Sequence, residues 1–456
     1  MGGYLGYDTG VISAVLVNLH ADLGHVLSSS EQELITSLTS GGALIGAVVA
    51  GMTVDEFGRK YGAYIGCVLF LLGSIIQASA FSIAQMSVGR FVVGLGIGSA
   101  AMIIPLYVGG LAPARHRGRI IALGNMSVTF GKLITYALGA ALTGPAHGWR
   151  WMVVIGVVPP IVLFFMLLLY PESPRSLIAH GKRDEAPRVI ARVFPHATEA
   201  QVTARVDHIE HEIQVENNVL AGKSLACQFK QLHCVPSNLR ALIPTCAIMT
   251  TWWFQYSHVL LSNTLRACWF ENATVVSIVV GATNFIFGIV ILVIVCRVGR
   301  RRIILTTVLE MSLTLVLCAI AFHFTPVYKD LVLEATSVNW VGIVVLVAII
   351  LYIAFFSGGV NVATIAWIGT ELLPLEVRAL GTMTNTVTCC GCNIIIDSIF
   401  LSMMKGITPI GAWVFIRASG SLVGYSLCSA TPTMRDCRLS MFARPASMDM
   451  WFITSR

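Results

Sequence analysis

Gly110-Leu-Ala-Pro113-Ala-Arg-His-Arg117 recurs about half a chain later as Glu371-Leu-Leu-Pro374-Leu-Glu-Val-Arg378, both built on Leu-x-Pro-x-x-x-Arg. Phe57-Gly58-Arg59-Lys60 is echoed in the same way by Val298-Gly299-Arg300-Arg301. Each stretch lies between long apolar runs, and the two members of a pair sit between equivalent runs. Two echoes in register imply two homologous halves related by an axis along a membrane normal.

Working outward, apolar runs fall roughly at 2–19, 34–54, 61–81, 86–108, 118–144 and 149–170, then at 239–262, 272–295, 302–324, 338–366, 379–404 and 410–430. Each is near the ~20 residues that an α-helix needs to cross hydrocarbon. Inside a bilayer such a run must be helical, because every backbone donor needs an internal partner. The fold expected is all-α and integral to the membrane, with about twelve transmembrane helices in two pseudo-symmetric six-helix bundles. Residues 1–170 form the first bundle and 239–430 the second. Residues 171–238 form a cytoplasmic helical linker, and 431–456 a cytoplasmic tail.

Composition agrees. Of 456 residues, 56% are hydrophobic and 12% charged, with a mean hydropathy of +0.78; a soluble domain carries roughly 25% charged residues. The net charge of +7 does not imply nucleic acid, because the basic residues cluster beside apolar runs rather than along one polar face. The 12 cysteines are scattered, many within spans (Cys67, Cys246, Cys318), which argues against a disulfide framework. Cys389-Cys390-Gly-Cys392 has no second Cys/His group at zinc spacing and reads as small helix-packing residues. No cleavable leader is expected, since Asp8 interrupts the first apolar run and basic residues do not precede it.

Loop charge orients the chain. One side carries Arg59 and Lys60, Arg115, Arg117 and Arg119, Arg175, Lys182, Arg183, Arg188 and Arg192, Arg297, Arg300 to Arg302, and Arg378. The opposite loops offer Arg150, Arg266, Lys329 and Lys405. The first side is therefore read as cytoplasmic, and an even helix number puts both termini there too. Glu185 to Val215 is charged and loosely amphipathic, suited to helices lying on that face. Its run Asp207-His208-Ile-Glu210-His211-Glu212 lacks the H-E-x-x-H order of a metal site and reads as a solvated helix surface.

Gly42, Gly46 and Gly51 line the second run, and Gly94, Gly96 and Gly98 cluster in the fourth. Small residues let membrane helices approach closely. Lying inside an apolar helix, Gly94-x-Gly96-x-Gly98 cannot open a phosphate-binding turn. Asp8, in Gly6-Tyr-Asp-Thr-Gly10, is the chemically loaded residue of the first run. A carboxylate in hydrocarbon costs about 2.5–3.5 kcal/mol on insertion scales, so it persists facing a partner or a polar space. The competing reading is an acid close enough to the helix end to meet water.

These residues resemble the sugar porter branch of the major facilitator superfamily. The resemblance rests on Gly6-Tyr7-Asp8-Thr9-Gly10, Asp55-x-x-Gly58-Arg59-Lys60, Gly89-Arg90-Phe91-x-x-Gly94, and Pro105-x-Tyr107 through Pro113-x-x-x-Arg117-Gly118. It continues with Pro171-Glu172-Ser173-Pro174-Arg175, Gly299-Arg300-Arg301 and Glu371-Leu-x-Pro374-x-x-x-Arg378, to about residue 415. Within that branch the first half is most similar to fungal myo-inositol/proton symporters, through Ser28 to Ser37, Ala112 to Arg119 and Asn125 to Thr129.

The resemblance implies roles by position. Asp8 matches the proton-coupling acid and Arg90 its basic partner on the fourth span. Asp55, Arg59, Lys60, Arg117, Glu172, Arg175, Arg300, Arg301, Glu371 and Arg378 match a cytoplasmic gate whose ion pairs close the inner side; topology signalling is the competing reading for such charges. Asn284 and Trp367 fall where the family lines its sugar pocket, with an amide for hydroxyls and an apolar face for a ring. Gln255 and Asn393 are further candidates, though for an Asn within a span interhelical hydrogen bonding competes with ligand binding.

The sequence also departs from the pattern. Lys132 stands where the resemblance implies a hydroxyl-binding Gln, and Thr250-Thr-Trp252-Trp253-Phe254-Gln255 replaces the seventh-span motif. Cys390 replaces a Trp, Gly110 a Glu, Glu56 a basic residue and Cys296 an Asp. Asp397 sits uncompensated in the eleventh run, and the resemblance ends near Phe415. Three causes stay open: a pocket retuned for another ligand, such as an anionic one paired by Lys132; a loss of transport; and exon errors at the ends and in the seventh span.

The function expected is proton-coupled symport of a polyol or sugar, myo-inositol first, by alternating access. The alternatives are a hexose carrier, or a non-transporting sensor of the same fold. An enzyme is not expected, because acidic metal clusters and Ser/His/Asp groupings are lacking near a membrane face. Neither metal nor cofactor is expected, the proton being the coupling ion. Expected partners are the solute, protons and membrane lipids, without nucleic acid. The carrier is expected as a monomer in the plasma membrane.

Overall fold

A computed structural model describes residues 2–19, 22–111, 114–142, 145, 147–220, 225–254, 273–298, 300–323, 340–361, 377 and 379–399. The first half begins with α1 (Gly2–Asn18), α2 (Ser29–Phe57), α3 (Arg59–Ala78), α4 (Ile83–Leu111) and α5 (Ala114–Ala141). Helices α6 (Gly148–Ile155) and α7 (Val158–Leu169) follow one another as one crossing of Gly148–Leu169. These match the six expected runs of that half. Helix α2 begins earlier than hydropathy alone indicates, because Ser28 and Glu31 form a reciprocal capping box: Ser28 N–H donates to Glu31 Oε2 at 2.8 Å. The Ser-x-x-Glu spacing carried that signal.

Four shorter helices follow: α8 (Pro174–Ala179), α9 (Ala186–Val193), α10 (Glu199–Leu220) and α11 (Leu225–Cys234). Ala186, Ile190, Val202 and Val206 give this segment its own small core. The Asp207–Glu212 run lies on α10, where Arg183 meets Asp207 at 2.6 Å and Glu210 at 3.2 Å. Exposed pairs of this kind contribute about 0–1 kcal/mol each, as expected of a solvated helix face.

The second half comprises α12 (Pro236–Phe254), α13 (Ala273–Val298), α14 (Arg300–His323), α15 (Trp340–Phe356) and α16 (Ala379–Ile399). Helix α15 widens into a π turn over Ser357–Asn361. The twelfth expected run lies outside the described residues. Among the described residues, six helices are long and apolar enough to cross a membrane. Large apolar side chains on them, such as Phe165, Leu169, Val293 and Ile395, stand exposed. With no water to satisfy backbone groups in hydrocarbon, such helices are the stable solution. The chain is a multi-pass integral membrane protein.

Packing within the first half follows the small residues. Helices α2 and α4 approach so closely that a Cβ on Gly98 would collide with the Ala43 carbonyl, and one on Gly94 with the Thr39 carbonyl. Helix α1 lies along α5, where the Thr135 hydroxyl donates to the Tyr7 carbonyl at 3.1 Å. The halves meet along two seams. On one, Phe130 of α5 stacks on Phe285 of α13 at 5.4 Å, and Gly281 lies against Leu133 and Tyr136. On the other, α2 meets α16, with Gly51 against Met383 and Ser40 against Asn393 and Asp397. Gly51 therefore serves the junction, while Gly42 and Gly46 serve α4.

The two ends differ. At one, Arg59 donates to the Leu106 carbonyl at 2.8 Å, Lys60 to the Tyr170 carbonyl at 2.7 Å and Tyr107 to the Pro171 carbonyl at 2.7 Å. At the other, Arg150 donates to the Ala78 and Ala80 carbonyls, both at 2.7 Å, closing the α3–α4 turn. Asp22 there accepts from Trp149 Nε1 at 2.7 Å. The Cys389-Cys390-Gly-Cys392 run packs α16 on α12: Cys392 donates to Thr250 at 3.7 Å, and Thr388 to Cys246 at 3.6 Å.

Candidate functional site

Asp8 lies mid-helix on α1, and Arg90 on α4 donates Nη1–H to its Oδ1 at 2.9 Å. Their side chains are 7% and 3% exposed, so the pair is buried. That decides between the two readings of Asp8: the acid is enclosed and paired. A charge-assisted bond in such surroundings is strong, while removing one partner of a buried pair leaves an uncompensated charge. Neighbouring contacts hold α1 in place. Tyr7 Oη donates to the Met152 carbonyl at 2.7 Å, and Thr135 reaches the Tyr7 carbonyl. Neither Tyr7 nor Thr135 was singled out from sequence; a polar side chain on an apolar helix was the available signal.

Lys132 follows Gly131, whose Cα packs on the Tyr7 region of α1, and the lysine is 2% exposed. Its neighbour Leu133 is an α5 residue that meets Gly281 of α13. Asn284 belongs to the inward stripe Ser277, Gly281 and Asn284 of α13, a helical i, i+4, i+7 spacing. Ser357, fully buried in the π turn, donates to the Asn284 carbonyl at 2.5 Å. Widened turns of this type concentrate at functional sites. Asn284 thus stands one turn beyond the Gly281 contact with Leu133 and Tyr136 of α5.

Asn393 Nδ2 donates to Ser40 Oγ at 2.6 Å, so its amide bonds between helices. Ser40 in turn donates to Asp397 Oδ2 at 3.2 Å, so a neutral hydroxyl of α2, distant in sequence, meets the acid that the sequence left without a partner. Ser40 was missed, since a serine among Thr39, Gly41 and Gly42 reads as packing.

The basic end gathers part of the expected gate. Glu172 accepts from Ser173 N–H at 3.2 Å, and its carboxylate lies beside Gly58. Arg175 meets Glu212 of α10 at 3.4 Å, and Arg59 and Lys60 reach main-chain carbonyls as above. Gln255, Trp367, Glu371 and Arg378 lie outside the described residues, as do the side chains of Asp55, Arg117, Arg300 and Arg301.

A bundle of long apolar helices in two contacting halves, with an ion pair buried inside one of them, is the build of a membrane solute carrier. Residues 1–429 match the sugar (and other) transporter family. Myo-inositol transporter 2 of Schizosaccharomyces pombe is 41% identical over 420 residues, 90% of this chain and 74% of that protein. Myo-inositol transporter 1 of Saccharomyces cerevisiae is 37% identical over 433 residues, 92% of this chain and 73% of the relative. The xylose transporter XylE from E. coli, in a partially occluded inward open conformation, superposes with a TM-score of 0.75 at 21% identity, covering 94% of each chain. A XylE structure bound to 6-bromo-6-deoxy-D-glucose and described as a major facilitator superfamily proton:xylose symporter gives a TM-score of 0.76, again at 21% identity, over 94% of this chain and 93% of that one. The chain belongs to the sugar transporter family and has the major facilitator fold. It is a transporter rather than an enzyme, and carriers of this kind work without a cofactor.

Proposed function

We propose that the protein is a proton-coupled symporter of a polyol, myo-inositol first, working by alternating access. The observation that carries this reading is the buried Asp8–Arg90 pair, 2.9 Å long. Protonating Asp8 releases Arg90 from its partner, so proton loading is linked to helix packing at the heart of the first half. The names of the relatives, myo-inositol transporters 37–41% identical to this chain over the aligned residues, support the solute class.

In this reading residues 1–170 and 239–430 are the two bundles, 171–238 the cytoplasmic linker and 431–456 the tail. The basic end, with Arg59, Lys60, Glu172 and Arg175, is cytoplasmic, and Asp55, Arg117, Arg300, Arg301, Glu371 and Arg378 complete its gate. Both termini are cytoplasmic, the membrane is the plasma membrane, and the working unit is a monomer surrounded by lipid, with no nucleic-acid partner. Asn284, Lys132, Gln255 and Trp367 contact the solute. Asn393 keeps a lesser share, because its amide is engaged with Ser40.

The test is uptake by the full chain in vesicles bearing an imposed pH gradient. Asp8→Asn should abolish accumulation against a gradient of myo-inositol while sparing equilibrium exchange. Unchanged concentrative uptake would refute the coupling role. The buried Lys132 favours a second reading, a retuned carrier or a non-transporting sensor; ligand binding without any flux would select the sensor.

A further inference from the structure

Asp397 has no part in the mechanism above, yet it stands at the seam between the halves. A directed hydrogen-bond chain crosses that seam twice: Asn393 of α16 donates to Ser40 of α2 at 2.6 Å, and Ser40 donates back to Asp397 at 3.2 Å. Arg90 is 3% exposed, spends Nη1 on Asp8, and its Nε has no hydrogen-bond partner among the described residues. Ser40 neighbours Thr39 and Gly42 on α2, where a Cβ on Gly94 would meet the Thr39 carbonyl and one on Gly42 the Phe91 carbonyl, so α2 packs on α4 at the level of Arg90. The seam thus brings an acid of the second half, through Ser40, to the level of the Asp8–Arg90 pair.

We propose that Asp397 is a second proton-binding site, which shares Arg90 with Asp8 across the junction of the two halves. The argument is one of charge. With both acids ionised the three groups carry one net negative charge inside the membrane region, where an uncompensated charge is costly. One proton on the two carboxyls makes the set neutral. Because Arg90 already donates to Asp8, the proton belongs on Asp397, which receives a neutral hydroxyl from Ser40. When Asp8 takes up a proton, Arg90 becomes the counterion of Asp397, whose proton can leave. The proton count then stays constant while the charge pairing moves from within one half to across both.

The helices that meet α16 and α2 carry few other ionisable side chains within the described spans, and none of them forms an ion pair with Asp397 among the described residues. Helix α2 brings Ser40 and, seven residues earlier, the buried acid Glu33. Helix α12 brings the thiol of Cys246, which is bonded to Thr388. Arg90 on α4 is the cation, and Asp8 on α1 is its other partner. The inference rests on Asp8 being the coupling acid, but its test does not.

The test is infrared difference spectroscopy of the full chain in lipid vesicles, with a pH jump as the proton probe. The wild type should show the carbonyl stretch of a protonated carboxylic acid at neutral pH. Asp397→Asn should remove that band, and Asp8→Asn, which mimics the neutral acid and frees Arg90 for Asp397, should diminish it. Ser40→Ala, which deletes a hydrogen bond to the acid without touching its charge, should move the band to higher frequency. A band identical in Asp397→Asn overturns the proposal, and so does an unshifted band in Ser40→Ala should Asp397→Asn not fold. Failure of the Asp8 coupling role is read separately, from uptake by Asp8→Asn, so the two ideas fall independently.

Discussion

The hydroxyl of Tyr7 donates to the main-chain carbonyl of Met152 at 2.7 Å, joining residues 145 positions apart. That bond holds α1 immediately beside Asp8, so the acid meets Arg90 on a fixed helix rather than a wandering one. A bond of this kind keeps the 2.9 Å Asp8–Arg90 geometry in place.

The two acids around Arg90 should be thermodynamically coupled. Asp8→Asn alone should cost less than the ~3–5 kcal/mol of breaking a buried pair, since Asp397 remains a counterion for Arg90. Asp8→Asn combined with Asp397→Asn removes both, and should cost more than the sum of the single changes by about 0.5–3 kcal/mol. Denaturant or thermal unfolding of the purified variants measures the cycle, and additive effects would show that Arg90 serves Asp8 alone.

Gly98 should not tolerate a side chain. A Cβ there runs into the Ala43 carbonyl, a backbone atom that cannot move without shifting α2. Gly98→Leu should destabilise the protein by about 1–3 kcal/mol or more, read as loss of monodisperse protein after heating. Gly124→Ala makes the control, because nothing lies within 4 Å of a Cβ built there.

Asp22, in the turn after α1, gives a pH signature outside the membrane region. Hydrogen bonds from Trp149 first, and from His147, hold its carboxyl below the usual carboxylate range. A lowered value in the folded state means that the stabilisation is present above the unfolded value, about 3.9. It is lost as pH falls through the folded one. Wild-type thermal stability should therefore fall more steeply than that of Asp22→Asn as pH drops below about 4. Parallel curves would show that the hydrogen bonds form in neither state or equally in both.

Lys132→Gln should change solute preference without unfolding the chain. The side chain is fully enclosed on α5, on the span whose Leu133 and Tyr136 meet Gly281 of the second half. Replacing a cation with an amide should alter the ratio of myo-inositol to hexose binding several-fold, the size of one hydrogen bond of about 1 kcal/mol. Competition binding measures it; an unchanged ratio would put Lys132 outside the solute's reach.

Much of the architecture was legible before any coordinates. Hydrocarbon admits few solutions, so apolar length located the first-half helices, and the paired Leu-x-Pro-x-x-x-Arg and Gly-Arg echoes divided the chain in two. The charged run at Asp207 read correctly as a solvated helix, and the glycines of α4 as packing sites. The capping box at Ser28 was present in the sequence and extends α2 beyond its apolar core. Asp8 stood out because an ionised group is costly in a span, and Arg90 through the resemblance to the sugar porters.

By itself, then, the sequence determined which segments cross the membrane, how they repeat, and which buried charges require partners. Those are consequences of composition along one chain and of a solvent that forbids unsatisfied backbone. The tertiary structure alone decided who the partners are: Arg90 for Asp8, Ser40 for both Asn393 and Asp397, Met383 against Gly51. Partner choice depends on how each helix is rotated and slid against its neighbours. Those rotations are set by side-chain packing between segments hundreds of residues apart, which hydropathy and spacing do not record.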